Sequence, residues 1–170
     1  MKVILSILLL SCFSPCNTNA DEAGHGFTLY LVRHAEKEAD GSRDPLLTEA
    51  GNNRSKKLAS WFADKDINAI WSSDYIRTRD TALPLLSQLG LTLKIYDPGD
   101  QTELVRQILD RQHNALVVGH SNTIPELARL LCHCTIADMD DSEHDRLIVI
   151  SFVNHEITTE TLDQRILFKR

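Results

Sequence analysis

Residues 27–36 read Phe-Thr-Leu-Tyr-Leu-Val-Arg-His-Ala-Glu, in which an unbroken run of apolar and β-forming residues over 27–32 is followed by two basic side chains. Continuously apolar strands are typical of parallel sheets that are covered on both faces. The run therefore predicts a buried strand over residues 27–32. That strand would deliver Arg33 and His34 to one edge of a sheet.

In the rest of the chain, short apolar runs alternate with segments in which apolar residues recur at the spacing of a helix. Repeated alternation of strands and helices predicts one α/β domain over residues 21–170, a three-layer sandwich with a mostly parallel sheet and helices on both faces. A weaker pattern predicts a closing hairpin around residues 154–156, and the acidic stretch 136–145 predicts an exposed loop. The predicted strands after the first are 67–71, 91–96 and 115–118, and the predicted helices begin near 48, 75, 103 and 125.

Basic and imidazole side chains follow three of these strands. Ligands of open α/β sheets bind outside the carboxyl ends of the strands, so the residues at those positions are candidates for function. Arg33 and His34 follow the first strand, Arg77 falls in the helical turn after Ser72-Ser73-Asp74, and His120-Ser121 follow the strand at 115–118. We expect these groups to converge on one crevice.

The converging residue types suit phosphoryl transfer. Guanidinium groups match the oxygens of a phosphoryl group with paired hydrogen bonds, and a neutral imidazole is a competent nucleophile. The pattern predicts that an imidazole attacks phosphorus while Arg33, Arg77 and His120 bind the phosphoryl oxygens, with Ser121 at the helix start beside them. The predicted substrate is a small phosphorylated molecule, and this chemistry needs neither a metal nor a cofactor.

Four sequence blocks carry a resemblance to a known family. Residues 31–36 resemble the Arg-His signature of the histidine phosphatase superfamily, branch 1, which is related to the phosphoglycerate mutases. The Leu-Thr-x-x-Gly of residues 47–51, the Ser-Ser-x-x-x-Arg block of 72–82 and the second-histidine block of 118–122 are similar to the remaining family motifs. The resemblance implies a phosphoglycerate mutase-like fold and a metal-independent, acid phosphatase-type hydrolase of phosphoric monoesters.

The resemblance also assigns roles and leaves one role open. It implies that His34 is the phosphorylated nucleophile. The proton donor of larger members would fall near Glu103, but the sequence at 97–100 instead resembles the short phosphohistidine phosphatases. Glu103, Asp100 and Asp97 therefore stand as candidate proton donors, in that order.

The net charge bears on the partners of the protein, and the first twenty residues bear on its location. The formal net charge of -6 offers no basic footprint for nucleic acid. Residues 1–20 carry one lysine, a short apolar run and a polar end at Ala20, which predicts a signal peptide and export to a bacterial periplasm or the medium. The alternative is lipoprotein processing with a lipid anchor at Cys12. No membrane-spanning segment is expected in the mature chain.

The mature chain would keep two cysteines, in Cys132-His133-Cys134. Residues two apart point to different sides of a helix, so this spacing is awkward for a disulfide. Two thiols and one imidazole are also too few ligands for a structural zinc site. We expect small buried residues at a helix end, with the oxidation state left open. The other histidines, including His144, are expected to be structural or exposed.

Three other functions are alternatives to hydrolysis. A serine nucleophile at Ser121 is disfavoured because Thr123 replaces the second glycine of a nucleophile elbow. A phosphomutase would need extra segments, and the sequence between Arg77 and His120 has no room for a sizeable insertion. A non-catalytic protein that binds a phosphate ligand remains an alternative.

Overall fold

The computed structural model describes residues 26–169, which form six strands and five helices. The strands are β1 Phe27–Arg33, β2 Ala69–Ser73, β3 Leu93–Tyr96, β4 Ala115–Gly119, β5 Arg146–Val153 and β6 Glu156–Asp163. The helices are α1 Glu49–Trp61, α2 Ile76–Leu89, α3 Gln101–Arg111, α4 Thr123–Cys132 and α5 Gln164–Leu167.

The strands form one sheet in the order β3-β2-β4-β1-β5-β6. β3, β2, β4 and β1 are parallel, and β5 and β6 add an antiparallel hairpin beside β1. The carboxyl ends of β1, β2 and β4 therefore meet at the same edge, as the sequence predicts.

Helices cover both faces of the sheet. Along β4, Val117 belongs to a cluster with residues of α3 and α4, whereas Leu116 and Val118 belong to a cluster with residues of α1 and α2. Successive side chains of a strand point to opposite faces, so a strand that is buried on both sides must be apolar throughout. This arrangement confirms the predicted three-layer α/β fold.

Local signals in the sequence account for the ends of several elements. The Thr48 hydroxyl accepts a hydrogen bond from the backbone of Gly51 and caps α1, and Gly90 ends α2 with a left-handed φ of 64°. The predicted hairpin is present, with Asn154 and His155 both at positive φ in its turn.

Three sequence expectations need correction at the level of the fold. α3 begins at Gln101 rather than Glu103, because Asp100 caps the backbone N–H of Glu103. β2 continues through Ser73, which pairs with Tyr96 of β3. The stretch 136–145 has no regular structure, but it is not simply exposed, since Met139 is buried in the core.

The expectation about the cysteines is confirmed for Cys132, which is buried at the end of α4, but Cys134 is exposed and the disfavoured disulfide is present. Cys132 and Cys134 form a disulfide, with their Cα atoms 5.1 Å apart. The objection assumed a continuing helix, but α4 ends at Cys132 and His133 takes a left-handed φ of 52°. This turn brings the two side chains to the same side of the chain.

The predicted signal peptide over residues 1–20, the alternative anchor at Cys12 and the expectation for His25 lie outside the described residues. Within residues 26–169, no helix has the length and apolar character needed to cross a membrane.

Candidate active site

The carboxyl ends of β1, β2 and β4 surround a cavity of about 440 Å³, which we call the His34 pocket. Its walls come from the strand ends, from the first turns of α2 and α4, and from the loops before α3 and β5. The lining residues are Arg33, His34, Lys37, Tyr75, Arg77, Pro98, Gly99, His120, Ser121, Asn122, Thr123 and Asp141. All five residues predicted to bind or attack a phosphoryl group therefore line one pocket.

His34 is fixed at the end of β1 by its own backbone and that of its neighbour. Its N–H donates to Gly119 O of β4 at 2.9 Å, and the N–H of Ala35 donates to the Thr81 hydroxyl of α2 at 2.9 Å. These bonds tie the strand end to the next strand and to the helix above it. The imidazole is only 3% exposed.

The tautomer of His34 follows from its hydrogen bond. Nδ1 lies 2.8 Å from the carbonyl oxygen of Ala35, and a carbonyl can only accept, so Nδ1 carries the proton. Burial lowers the pKa of His34 to about 3, and the charge of Arg33 acts in the same direction, although the bond to Ala35 opposes them. At neutral pH the imidazole is uncharged, and Nε2 keeps its lone pair.

Arg33 is held in place by the loop before β5, which lies outside the parallel part of the sheet. Its Nη1 donates to Asp140 O at 2.9 Å and Glu143 O at 3.2 Å, both in the loop before β5. Asp141 lies 3.8 Å from Nη2. Burial lowers the pKa of Arg33, but a guanidinium remains charged at neutral pH. Its buried Nε has no hydrogen-bond partner among residues 26–169.

Arg77 projects from the first turn of α2 and lies over the ring of Tyr75, at 4.4 Å from the centroid. Its Nη1 is 3.3 Å from Asp44 Oδ1, and the same carboxylate accepts the Ile76 N–H at 3.0 Å. Asp44 thereby ties the arginine to the start of its own helix. The buried Nε of Arg77 also lacks a partner within the described part of the chain. Two guanidinium groups that line one pocket make it suitable for an anion.

His120 lies across the pocket from His34, with 5.6 Å between the ring centroids. Its Nε2 is 2.9 Å from the Ser73 hydroxyl, which is 3.0 Å from the Thr78 hydroxyl. Thr78 is also 2.9 Å from the Ser73 carbonyl, which can only accept. If Thr78 donates to this carbonyl and Ser73 to Thr78, then His120 Nε2–H donates to Ser73.

The charge of His120 depends on whether an anion occupies the pocket. Burial, followed by the charges of Arg77 and Arg33, lowers the pKa of His120 to about 4. Beside the two arginines alone, both imidazoles are therefore neutral at pH 7. A phosphoryl anion between them would raise the pKa of His120 through its opposite charge.

The candidate proton donors do not line the His34 pocket. Glu103 is hydrogen-bonded by Arg106 and Gln107 on the surface of α3, and these bonds lower the pKa of its carboxyl to about 2. Asp100 caps α3, and Asp97 accepts the Gly99 N–H at 2.8 Å. The carboxylate that lines the pocket is Asp141, which accepts the Ser121 hydroxyl at 2.9 Å.

The loop before β5 holds residues that the sequence reasoning missed. His144, expected to be structural or exposed, donates from Nδ1 to His34 O at 3.0 Å, and its ring centroid is 5.6 Å from that of His34. Burial lowers the pKa of His144. Asp44 and Asp141 were missed as well. None of the three follows a strand of the parallel sheet, so strand-end reasoning could not find them.

Within the described chain, no group of three or more His, Cys, Asp or Glu residues is placed to hold a metal ion. The charges available to an anion in the His34 pocket are those of Arg33, Arg77 and, at the rim, Lys37.

Comparison with known proteins finds one sequence family that is similar to part of this chain. The sequence profile of the histidine phosphatase superfamily, branch 1, matches residues 29–98, which contain the first histidine and both arginines. This match, together with the shared fold, relates the chain to the histidine phosphatase superfamily. No curated protein sequence matches the chain significantly.

Solved structures share the fold at low sequence identity. The protein histidine phosphatase SixA complexed with tungstate aligns with a TM-score of 0.68 at 18% identity, covering 83% of this chain and 99% of its own. The alpha-ribazole phosphatase from Shigella flexneri gives 0.67 at 16% identity, over 82% and 97%. A mycobacterial glucosyl-3-phosphoglycerate phosphatase gives 0.64 at 15% identity, over 81% and 98%.

Proposed function

We propose that this protein is an exported, metal-independent phosphatase that hydrolyses phosphomonoesters through a phosphohistidine on His34. The observation that carries the proposal is the state of His34. Its Nδ1–H is bound to Ala35 O, and its pKa is about 3, so an unprotonated Nε2 is available in a buried pocket between two arginines. The match to the histidine phosphatase profile supports phosphatase activity in general.

The proposed reaction has two displacements. Nε2 of His34 attacks phosphorus, the bond to the leaving oxygen breaks, and that oxygen takes up a proton. Water then attacks the phosphohistidine, returns Nε2 to its free form and releases phosphate. Arg33, Arg77 and His120 stabilise the charge on the phosphoryl oxygens in both steps, which is why no metal is required.

The proton for the leaving group needs a separate test. Asp141 is the carboxylate in the His34 pocket, whereas Asp97, Asp100 and Glu103 do not line it. We expect Asp141→Asn to slow release of an alkyl phosphate by about a hundredfold and of an activated aryl phosphate much less. Equal effects on both substrates would assign the proton to water or to the substrate itself.

The leaving group is the least defined part of the proposal. The fold neighbours are named as phosphatases of a protein histidine, of alpha-ribazole and of glucosyl-3-phosphoglycerate. Identities of 15–18% transfer none of these substrates to this chain. The informative panel therefore includes phosphorylated sugars, nucleotides, envelope components and a phosphohistidine peptide.

Export rests on residues 1–20. We expect the mature protein outside the cytoplasm, with an N-terminus near Asp21. N-terminal sequencing and intact mass of the recovered protein test this, and a lipid-modified Cys12 would instead establish the lipoprotein alternative.

The direct test of function is phosphate release from an aryl phosphate by wild type and by His34→Ala, with His113→Ala as a control because His113 is exposed and outside the pocket. We expect turnover by wild type and by the control, and none by His34→Ala. Phosphate binding without turnover would indicate a non-catalytic binding protein. Transfer to a second hydroxyl group rather than to water would indicate a phosphomutase.

A further inference from the structure

The disulfide between Cys132 and Cys134 lies at the carboxyl end of α4, away from the His34 pocket. Cys132 is buried at 9% exposure against the core, whereas Cys134 is exposed. One sulfur is thus open to solvent and the other is covered. The proposed phosphatase chemistry uses neither.

The bond contributes little to holding the fold together. It closes a loop of only three residues, and the chain entropy that a disulfide removes from the unfolded state grows with the length of its loop. It also spans His133, a non-glycine residue at a φ of 52°, which L residues adopt at a cost. These features favour a bond that is made and broken over a permanent structural one.

We propose that Cys132–Cys134 is a thiol-exchange site for low-molecular-weight thiols, and that its redox state tunes phosphate binding in the His34 pocket. The thiol is the reductant that the reaction needs. The second half of this proposal rests on the proposed phosphate pocket, whereas the exchange itself does not.

The exchange takes place in two balanced steps. An external thiolate attacks Sγ of Cys134, forming a mixed disulfide and releasing Cys132 as a thiolate, which then takes up a proton. A second external thiolate attacks the sulfur that the first thiol supplied, releasing the oxidised dimer of that thiol and leaving Cys134 reduced. The backbone N–H of Cys134, 3.2 Å from Cys132 Sγ, stabilises the leaving sulfur.

The connection to the pocket runs through residues 133–145, which we call the 133–145 loop. The disulfide fixes its first residues. Its far half supplies the carbonyl groups of Asp140 and Glu143, the two backbone acceptors that hold the guanidinium, and the carboxylate of Asp141 at 3.8 Å from Arg33 Nη2. Loosening the start of the loop therefore loosens the support of a residue that binds phosphate.

Other contacts limit the size of the effect. Arg129 binds Ile136 O at 2.7 Å, and Arg146 binds Ala137 O at 2.7 Å and Asp138 O at 3.0 Å. These hydrogen bonds do not involve the cysteines, and we expect them to remain when the disulfide opens. We therefore expect reduction to weaken phosphate binding about fivefold, at the lower end of the usual coupling between two sites.

The exchange is tested on the folded full chain in millimolar reduced glutathione, followed by acid quench, alkylation and trypsin digestion. Cleavage after Arg129 and Arg146 isolates both cysteines in one peptide. We expect the disulfide to open without denaturant, with glutathione found on Cys134 at least tenfold more often than on Cys132. A bond that opens only after unfolding, or adducts mainly on Cys132, would overturn the proposal.

The coupling is tested by calorimetric binding of inorganic phosphate to the oxidised and reduced wild type. The Cys132→Ser, Cys134→Ser double variant is the matched control. It should bind phosphate like the reduced protein and should not respond to reductant. Equal phosphate affinity of the oxidised and reduced wild type would overturn the coupling, even if the double variant did not fold. Phosphate binding without turnover would contradict the phosphatase proposal alone.

Discussion

The parallel strands and the 133–145 loop contribute to the same pocket in different ways. The ends of β1 and β4, with the first turn of α2, supply His34, Arg33, His120 and Arg77. The loop supplies mainly support, through carbonyl groups on Arg33 and the hydrogen bond of His144 to His34 O. Apart from Asp141, the groups proposed to act on the phosphoryl group come from the strand ends and α2, and several groups that orient them come from the irregular loop.

If the strand ends supply the phosphate-binding groups and the loop supports them, removing an arginine from the pocket should lower kcat/KM more than removing a supporting group of the loop. We expect Arg33→Ala and Arg77→Ala each to lower kcat/KM by about a thousandfold, because each guanidinium stabilises charge on the transferring phosphoryl group. Steady-state kinetics on an aryl phosphate measure this loss. Arg106→Ala, which removes an exposed arginine of α3, is the control and should be neutral. Near-normal activity in both pocket variants would refute the site.

The pH profile separates the buried His34 from an ordinary histidine. An imidazole with its usual pKa of 6.5 would be mostly protonated at pH 5, with an activity loss of about thirtyfold. Because the pKa of His34 is about 3, we expect no such loss of kcat/KM at pH 5, after correction for ionisation of the substrate. An acid limb centred near pH 6.5 would show that His34 is not held neutral.

The supporting role of the loop predicts a smaller effect for His144. We expect His144→Ala to reduce kcat about tenfold with little change in KM, because His34 loses a neighbour that positions it and no phosphate contact is lost. The comparison with His113→Ala, outside the pocket, controls for loss of a histidine. A loss as large as that of Arg33→Ala would make His144 a catalytic residue and erase the distinction between the two regions.

The smallest expected effect is on stability. Between pH 6.5 and about 4, the unfolded chain protonates its histidines while His34 stays neutral in the fold, so the unfolded state binds more protons. The free energy of unfolding should therefore fall as pH falls, by up to about 1.4 kcal/mol per pH unit for this one group. Urea titrations across this range should show a shallower slope for His34→Asn. Equal slopes would argue against the lowered pKa.

Sequence reasoning found the parts of this molecule that depend on local periodicity. The apolar run at 27–32 and the strand at 115–118 are buried in the sheet, and the basic residues after them reach one pocket. The fold rules that connect strand ends to ligand sites make such residues visible without a structure.

The residues that escaped prediction share a physical reason. Asp44 and His144 act through single long-range contacts, with Arg77 and with His34 O, and no spacing in the chain marks them. The Cys132–Cys134 bond depends on one left-handed residue that ends α4. The proton-donor candidates were placed by family resemblance, and α3 instead turns Glu103 toward Arg106.

The central claim is that His34 carries the phosphoryl group, and rapid quenching tests it most directly. Enzyme stopped during turnover of a labelled aryl phosphate should carry an adduct that is stable in base and labile in acid, and peptide mass spectrometry should locate it on His34. His34→Ala should carry none. Absence of the adduct from wild type, under conditions where its breakdown limits turnover, would contradict covalent catalysis and leave direct attack by water.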